Sequence, residues 1–319
     1  MRAVVYTRYG PPEVVKLTEV PKPTPKDNEV LIKVHATTVN RTDCGFRKAE
    51  YFAVRVVGGL FKPKNTILGT ELAGVVEAIG KDVKTFAVGD KVFGLSTFKF
   101  GTHADYVCVP EDKAITPMPV NLDFNEAAAV CEGMFLAYNY IKRLDYSTPK
   151  KVLVNGASGS IGSATLQLAK YFGADVTAVC KTSAVELVKS LGADRVIDYT
   201  KEDFTTYNEQ YDAVFDSVGK SSFFKCKHLL KPKGFYTSTE LGYMWQNVWL
   251  ALLTPLMPGK KVLFPIPVDT KKDMLFFKQI IEEGKYKPVI DRTYPLEQIV
   301  EAYQYVETGE KTGNVVITL

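Results

Sequence analysis

Between Lys151 and Gly162 the chain reads KVLVNGASGSIG, a glycine-rich turn joining a strand-like run to a helix-like run. A G-x-G-x-x-G spacing places its glycines at 157, 159 and 162, and Ala157 stands at the first of these. Gly159 would let the backbone approach a pyrophosphate, and Gly162 would let the helix pack closely on the strand. The unpaired N–H groups that open the helix suit phosphate oxygens. In its strand–turn–helix setting the motif predicts a dinucleotide site, and a tight turn without ligand is the alternative. Folds that bind NAD place an Asp or Glu roughly 20 residues further on, against the ribose hydroxyls. Here that region reads VTAVCKTS over 176–183, with no acid before Glu186. A carboxylate would repel a 2′-phosphate, whereas Lys181 with the hydroxyls of Thr182 and Ser183 would attract one. NADPH is therefore expected over NADH, with an ordinary surface lysine as the bland reading of Lys181.

Elements of two textures must position these residues. The first 120 or so residues carry short Val-, Ile- and aromatic-rich runs at Arg2–Thr7, Val14–Glu19, Glu29–Ala36, Gly74–Ile79, Lys91–Leu95 and Ala104–Val109. Turn signals such as Gly10-Pro11-Pro12 and Gly89-Asp90 separate them, which predicts a small barrel or sandwich. Past Pro119 the periodicity becomes helical over Asn125–Leu144, and strands then alternate with helices. Lys151–Asn155, Asp175–Cys180, Arg195–Tyr199, Ala213–Val218 and Gly234–Thr239 read as buried strands, with helices at Ile161–Phe172, Ala184–Leu191 and Ser222–Leu230. This alternation predicts a doubly wound parallel sheet, hence an α/β protein with a β-rich domain beside it. The tail reads as a helix at Lys271–Glu283, another at Pro295–Glu307 and a terminal strand within Gly313–Leu319. That strand is expected to return to the first domain. The domains are therefore drawn as 1–122 with 285–319, and 123–284, with a cleft between them.

Composition narrows the class. The 319 residues carry 40 basic and 36 acidic side chains, too even a balance to argue for nucleic acid. The most apolar stretch, Trp245–Met257, is too short for a membrane span of roughly 20 residues and reads as a buried or interface segment. MRAVVYTRYG at the start lacks the apolar centre of a signal peptide. Five cysteines, at 44, 108, 131, 180 and 226, form no C-x-x-C and no even framework. A reducing, cytoplasmic setting is expected.

At this point the chain resembles the medium-chain dehydrogenase/reductase superfamily over nearly its whole length. The resemblance is carried by Glu29–Asp43, LGTELAGVVEAIG at 68–80, VGDKVFG at 88–94, the glycine loop and LGADRVIDY at 191–199. Within the superfamily it is similar to the zinc-less quinone oxidoreductase branch. That implies a GroES-like catalytic domain beside a Rossmann domain. Where zinc relatives carry a Cys and then a His in a G-H-E triplet, this sequence has Asn40 and Gly69-Thr70-Glu71. Glu132, beside Cys131, aligns nearest the third ligand position, and the four-cysteine structural lobe is absent. Asparagine and threonine are poor zinc ligands, so no metal is expected.

The resemblance also implies the chemistry. Hydride delivery from NADPH to a quinone or an α,β-unsaturated carbonyl leaves an oxyanion or enolate, which needs hydrogen-bond donors and a proton but no metal. Asn40, Asp43 and Tyr51 are the catalytic candidates. Tyr51 follows Asn40 by the eleven residues that separate asparagine and catalytic tyrosine in related enoyl reductases; a packing tyrosine and a turn asparagine are the alternatives. Ser158, Gly159, Ser160, Ile161 and Gly162 would meet the pyrophosphate, and Lys181 and Ser183 the 2′-phosphate. Tyr199 would lie on the adenine side and Val218 and Gly219 along the nicotinamide, with Asn314 as a further cofactor contact. The segment Phe46–Lys64, with Tyr51, Phe52 and Phe61, suggests an apolar small-molecule substrate. Two other functions stay open: zinc-less alcohol or ketone conversion, and a weakly catalytic NADPH-binding regulatory protein. A homodimer is expected through the edge of the Rossmann sheet at Lys260–Val268, where Pro265 and Pro267 disfavour a central strand.

Overall fold

The computed structural model describes residues 1–97 and 99–319, with the side chain of Ala53 outside the description. Its contacts divide the chain into two compact units, Met1–Glu132 with Asp269–Gly284 and Pro288–Leu319, and Gly133–Val268 with Lys285–Lys287.

The first unit is built on the long strand Glu29–Val39. This strand pairs antiparallel with Glu71–Ile79, Tyr106–Pro110 and the terminal strand Asn314–Thr318, in the register Val315↔Val39 to Thr318↔Ala36. Ile290–Pro295, which the sequence did not announce as a strand, lies parallel to the terminal strand on its other side. Alternating apolar residues explain the pairing: Val30, Ile32 and Val34 enter one core with Leu72, Val92 and Ile115. Val39, Val315 and Ile317 enter a second with Tyr6, Leu68 and Tyr303. The helix Lys271–Glu282 belongs to this unit, not to the Rossmann part where the sequence drew it. Its ends are tied down there: Lys271 Nζ donates to Glu111 O at 3.0 Å, and Asn121 Nδ2 donates to Ile281 O at 2.8 Å. Likewise the start of the helix Phe124–Ile141 packs with the first unit and its remainder with the second.

The second unit holds a six-stranded parallel sheet among the described residues. Its order is Arg195–Asp198, Asp175–Cys180, Lys151–Asn155, Tyr211–Asp216, Leu230–Ser238 and Lys261–Leu263. The order reverses between Lys151–Asn155 and Tyr211–Asp216, which is where a ligand crevice opens in doubly wound sheets. Lys261–Leu263 is the edge strand, and it stops two residues before Pro265, whose missing N–H could not serve a ladder. Trp245–Met257 is not buried as a whole. Its helix Gln246–Leu253 leaves Trp249, Leu252 and Leu253 exposed. No helix among the described residues is long and apolar enough to cross a membrane.

Candidate active site and dinucleotide loop

In the second unit the strand Lys151–Asn155 runs into the turn, and the helix Ser160–Tyr171 leaves it with Gly159 as N-cap and no side chain capping it. Its first-turn N–H groups, on Ser160, Ile161 and Gly162, lie before the first helical bond, which Ser163 N makes to Gly159 O at 2.8 Å. Three glycines serve three needs. Gly156, one residue before the place the spacing assigned, takes the left-handed conformation at φ +78°, and a Cβ there would sit 2.4 Å from Val218 Cγ1. Ala157 is fully buried and its N–H, like that of Gly156, donates to Val179 O at 3.0 Å, so an alanine is tolerated there. A Cβ on Gly162 would lie 2.0 Å from Gly156 O. Gly159 has an extended backbone open to any residue, and a Cβ there would meet only Gly156 O at 3.6 Å. The protein gives no packing reason for that glycine. The space before it suits an oxygen-rich group such as a pyrophosphate.

The opposite wall of the turn is fixed by Asp216, buried at the end of its strand. Its carboxylate accepts from Asn155 Nδ2 at 3.0 Å, Ser221 N at 2.9 Å and the Tyr236 hydroxyl at 2.9 Å. Val218 and Gly219 are thereby held beside the glycine loop, and Gly219 at φ +65° has the Glu240 side chain against it. At the end of the strand Asp175–Cys180, Lys181 precedes the short turn Thr182–Ala184, which contains Ser183. Thr182 is committed elsewhere: its hydroxyl donates to Asp198 at 2.6 Å and lies 2.8 Å from that of Thr200. Asp198 also accepts from the Thr200 hydroxyl at 2.7 Å and pairs with Lys201 at 3.3 Å, and the Thr182 bond first of all holds its carboxyl well below the usual carboxylate range. The sequence reading missed this acid because it reaches the site from the neighbouring strand, as partner of Cys180. Tyr199 beside it is exposed.

In the first unit Asn40 caps the helix Arg41–Lys48, which sequence periodicity did not reveal. Asn40 Oδ1 accepts from Asp43 N at 2.9 Å and Asp43 returns a bond to Asn40 N at 3.2 Å, a reciprocal capping pair. Asn40 Nδ2 donates to Thr70 Oγ1 at 2.8 Å and reaches Glu71 at 3.4 Å. Asp43 is fully buried and its other oxygen accepts from Gly69 N at 2.9 Å. Both residues therefore hold the framework, while Thr42 and Tyr51 are only half-buried. Thr42 donates to Glu132 at 2.6 Å, and Glu132 N donates to the carboxylate of the fully buried Glu71 at 2.7 Å. Burial raises both carboxyl groups and lowers Lys311, whose charge acts on the pair. This polar cluster escaped the sequence reading, since its members stand far apart along the chain. Tyr51 is half-buried at the start of the helix Phe52–Gly58, and Phe52 and Phe61 are exposed nearby. Asn314 also belongs to this unit, its amide donating to Val289 O at 3.0 Å. Among the described residues no three His, Cys, Asp or Glu side chains converge as metal ligands, and all five cysteines are free.

Behind this cluster His103 is fully buried and donates from Nε2 to Thr38 O at 2.8 Å, with Asp43 at 3.9 Å. Burial lowers His103 to about 4 and raises Asp43 to about 7. Between pH 4 and 6.5 folding thus strips one proton from the histidine and adds one to the aspartate relative to the unfolded chain. The histidine contribution grows as pH rises and the aspartate contribution falls, so the two cancel. His103→Gln should uncover the aspartate contribution alone: over this window the variant loses on the order of 3 kcal/mol more than wild type as pH rises. Parallel urea-unfolding curves for the two proteins across that range would contradict this pairing.

Comparison with known proteins agrees with this architecture. Residues 26–120 match the alcohol dehydrogenase GroES-like domain, and residues 191–317 match the zinc-binding dehydrogenase family. The chain is 38% identical to 2-methylene-furan-3-one reductase of Solanum lycopersicum, over 99% of its own length and 79% of the relative. It is 34% identical to the chloroplastic NADPH-dependent alkenal/one oxidoreductase of Arabidopsis thaliana, with the same coverage. The quinone oxidoreductase structure from Coxiella burnetii superposes with a TM-score of 0.88 at 28% identity, covering 100% of this chain and 99% of the other. With the reversed parallel sheet, the GroES-like unit and these relatives in hand, the chain belongs to the medium-chain dehydrogenase/reductase superfamily, in its quinone oxidoreductase branch.

Proposed function

We propose that the protein reduces quinones or α,β-unsaturated carbonyls with NADPH and without zinc. The observation that carries the metal-free reading is the Asn40–Thr70 hydrogen bond of 2.8 Å at the positions where zinc relatives hold their metal. An amide and a hydroxyl bonded to one another offer no thiolate or imidazole to zinc. The named activities of the two plant relatives support the acceptor class.

NADPH supplies the hydride. Ser158, Gly159, Ser160, Ile161 and Gly162 would hold its pyrophosphate, Lys181 and Ser183 its 2′-phosphate, and Tyr199 its adenine side. Val218 and Gly219 would border the nicotinamide, and Asn314 would add a further contact. Asn40 and Asp43 position the start of the Arg41–Lys48 helix. Thr42 already donates its hydroxyl to Glu132, and Tyr51 is the side chain we propose to stabilise a substrate oxygen as it gains negative charge. Phe52 and Phe61 supply apolar surface for the substrate. We place the protein in the cytoplasm, where five free thiols stay reduced. We also propose a homodimer formed along the edge strand Lys261–Leu263, beside the exposed Leu256, Met257 and Ile266.

The test is NADPH oxidation with 1,4-benzoquinone, 3-buten-2-one and a set of alcohols and ketones, before and after prolonged chelation. Quinone or enone turnover that survives chelation is expected. Activity confined to alcohols, or activity lost on chelation and restored by zinc, would overturn the reading.

A further inference from the structure

The segment after the strand Leu230–Ser238 has an unusual combination of strain, exposure and anchoring. Gly242 is left-handed at φ +72°, and Met244 and Trp245 follow at φ +47° and +62°. They are the only adjacent pair of non-glycine residues in this region of backbone space among those described. Side chains there crowd their own backbone, so such conformations persist only where the surroundings enforce them, often at ligand clamps. The residues are not held by burial of their own side chains. Tyr243 is 80% exposed, Met244 75%, Trp245 45% and Trp249 59%.

What holds the segment is beneath it. Asn247 is buried, donates from Nδ2 to Glu240 O at 2.8 Å, and its N–H donates to Leu241 O at 3.1 Å. Its Oδ1 is buried without a partner, so the base of the knuckle keeps an unmet acceptor. Glu240, the residue that Asn247 grips, lays its side chain against Gly219, in the turn expected to border the nicotinamide. The knuckle therefore stands, within the second unit, immediately beyond the turn nearest the chemistry. It presents large apolar and aromatic faces at a cost in both strain and hydration.

We infer that Tyr243, Met244 and Trp245, with Trp249, form a substrate-specificity element that grips the flat, non-reacting part of an extended conjugated acceptor. This inference rests on the proposed hydride transfer to enones and quinones. It adds that the preferred acceptor carries an aryl or comparably flat apolar extension, recognised by ring faces more than by hydrogen bonds. The competing occupant is a second copy of the chain, which would cover the same surface.

The experiment compares trans-4-phenyl-3-buten-2-one with 3-buten-2-one. Wild type should favour the phenyl-bearing enone in kcat/KM. Tyr243→Ala and Trp245→Ala should each lower that ratio by about 10-fold, mainly through KM, and Trp245→Phe should restore most of it. The same phenyl enone should quench tryptophan fluorescence in wild type with NADP+ present and do so more weakly in Trp249→Phe. A ratio unchanged by either alanine, or a wild type without preference, overturns the inference. So does a sedimentation mass that drops from dimer to monomer in the alanine variants, which would assign the knuckle to a second copy. If no enone or quinone is turned over, the underlying reading fails instead, and the fluorescence titration still decides whether the knuckle binds the phenyl enone.

Discussion

Gly159→Ser is expected to keep or slightly raise thermal stability while abolishing most NADPH binding. The backbone at Gly159, φ −78° and ψ 174°, suits serine, and the nearest atom to an added Cβ is 3.6 Å away. Serine is also a good N-cap, worth a few tenths of a kcal/mol over glycine. Its hydroxyl would accept from the first-turn N–H groups of the helix Ser160–Tyr171. Those are the donors a pyrophosphate needs, and the Cβ would stand where its oxygens approach. Losing two charge-assisted bonds costs about 3 kcal/mol or more, which is roughly 100-fold in affinity. Gly162→Ala makes the contrast, because its Cβ would strike Gly156 O at 2.0 Å and should lower both stability and binding. Calorimetric titration with NADPH beside thermal melts separates the two. A Gly159→Ser protein that binds NADPH as tightly as wild type would mean the loop is a turn without ligand.

That contrast between two glycines was only half visible in the sequence. The spacing picked out Gly162 as a close-packing glycine, and a Cβ there would lie 2.0 Å from Gly156 O, yet the left-handed position falls on Gly156, which the motif did not single out. Two strands of the second unit, Lys151–Asn155 and Asp175–Cys180, were legible to the residue, because parallel buried strands read as largely apolar runs. The helix Arg41–Lys48 was not, since RTDCGFRK is short and largely polar; its stability lies in the Asn40–Asp43 capping pair and the strand before it. Thr42–Glu132 and Glu132–Glu71 contacts join residues 90 and 61 positions apart, beyond any local pattern. The apolar run at Trp245–Met257 was read by composition alone. The strained backbone at its start, and the exposure that follows, are properties of φ and surroundings that composition does not encode.

The same limit bears on cofactor choice, where the structure adds a carboxylate the local sequence lacked. Asp198 stands beside the turn that carries Lys181 and Ser183, and an unengaged acid there would favour NADH. It is engaged: the hydroxyls of Thr182 and Thr200 and the ammonium of Lys201 already satisfy it. Thr182 is thereby committed elsewhere, and we propose Lys181 as the main determinant of the cofactor preference with Ser183 as a lesser one. Lys181→Ala should therefore weaken NADPH by about 1.5–3 kcal/mol, roughly 10- to 150-fold, and leave NADH nearly unchanged. Ser183→Ala should cost about 1 kcal/mol. The preference should also depend on pH in one direction. A phosphate monoester takes up its second proton near pH 6, so the NADPH to NADH affinity ratio should fall as pH drops below about 6. Added salt should narrow the ratio as well, because the contact lies at an exposed turn. Titrations of both cofactors against wild type and Lys181→Ala at pH 7.5 and pH 5.5 test all of this together. Equal wild-type affinities for the two cofactors, or a ratio that Lys181→Ala leaves intact, would transfer the selectivity away from Lys181.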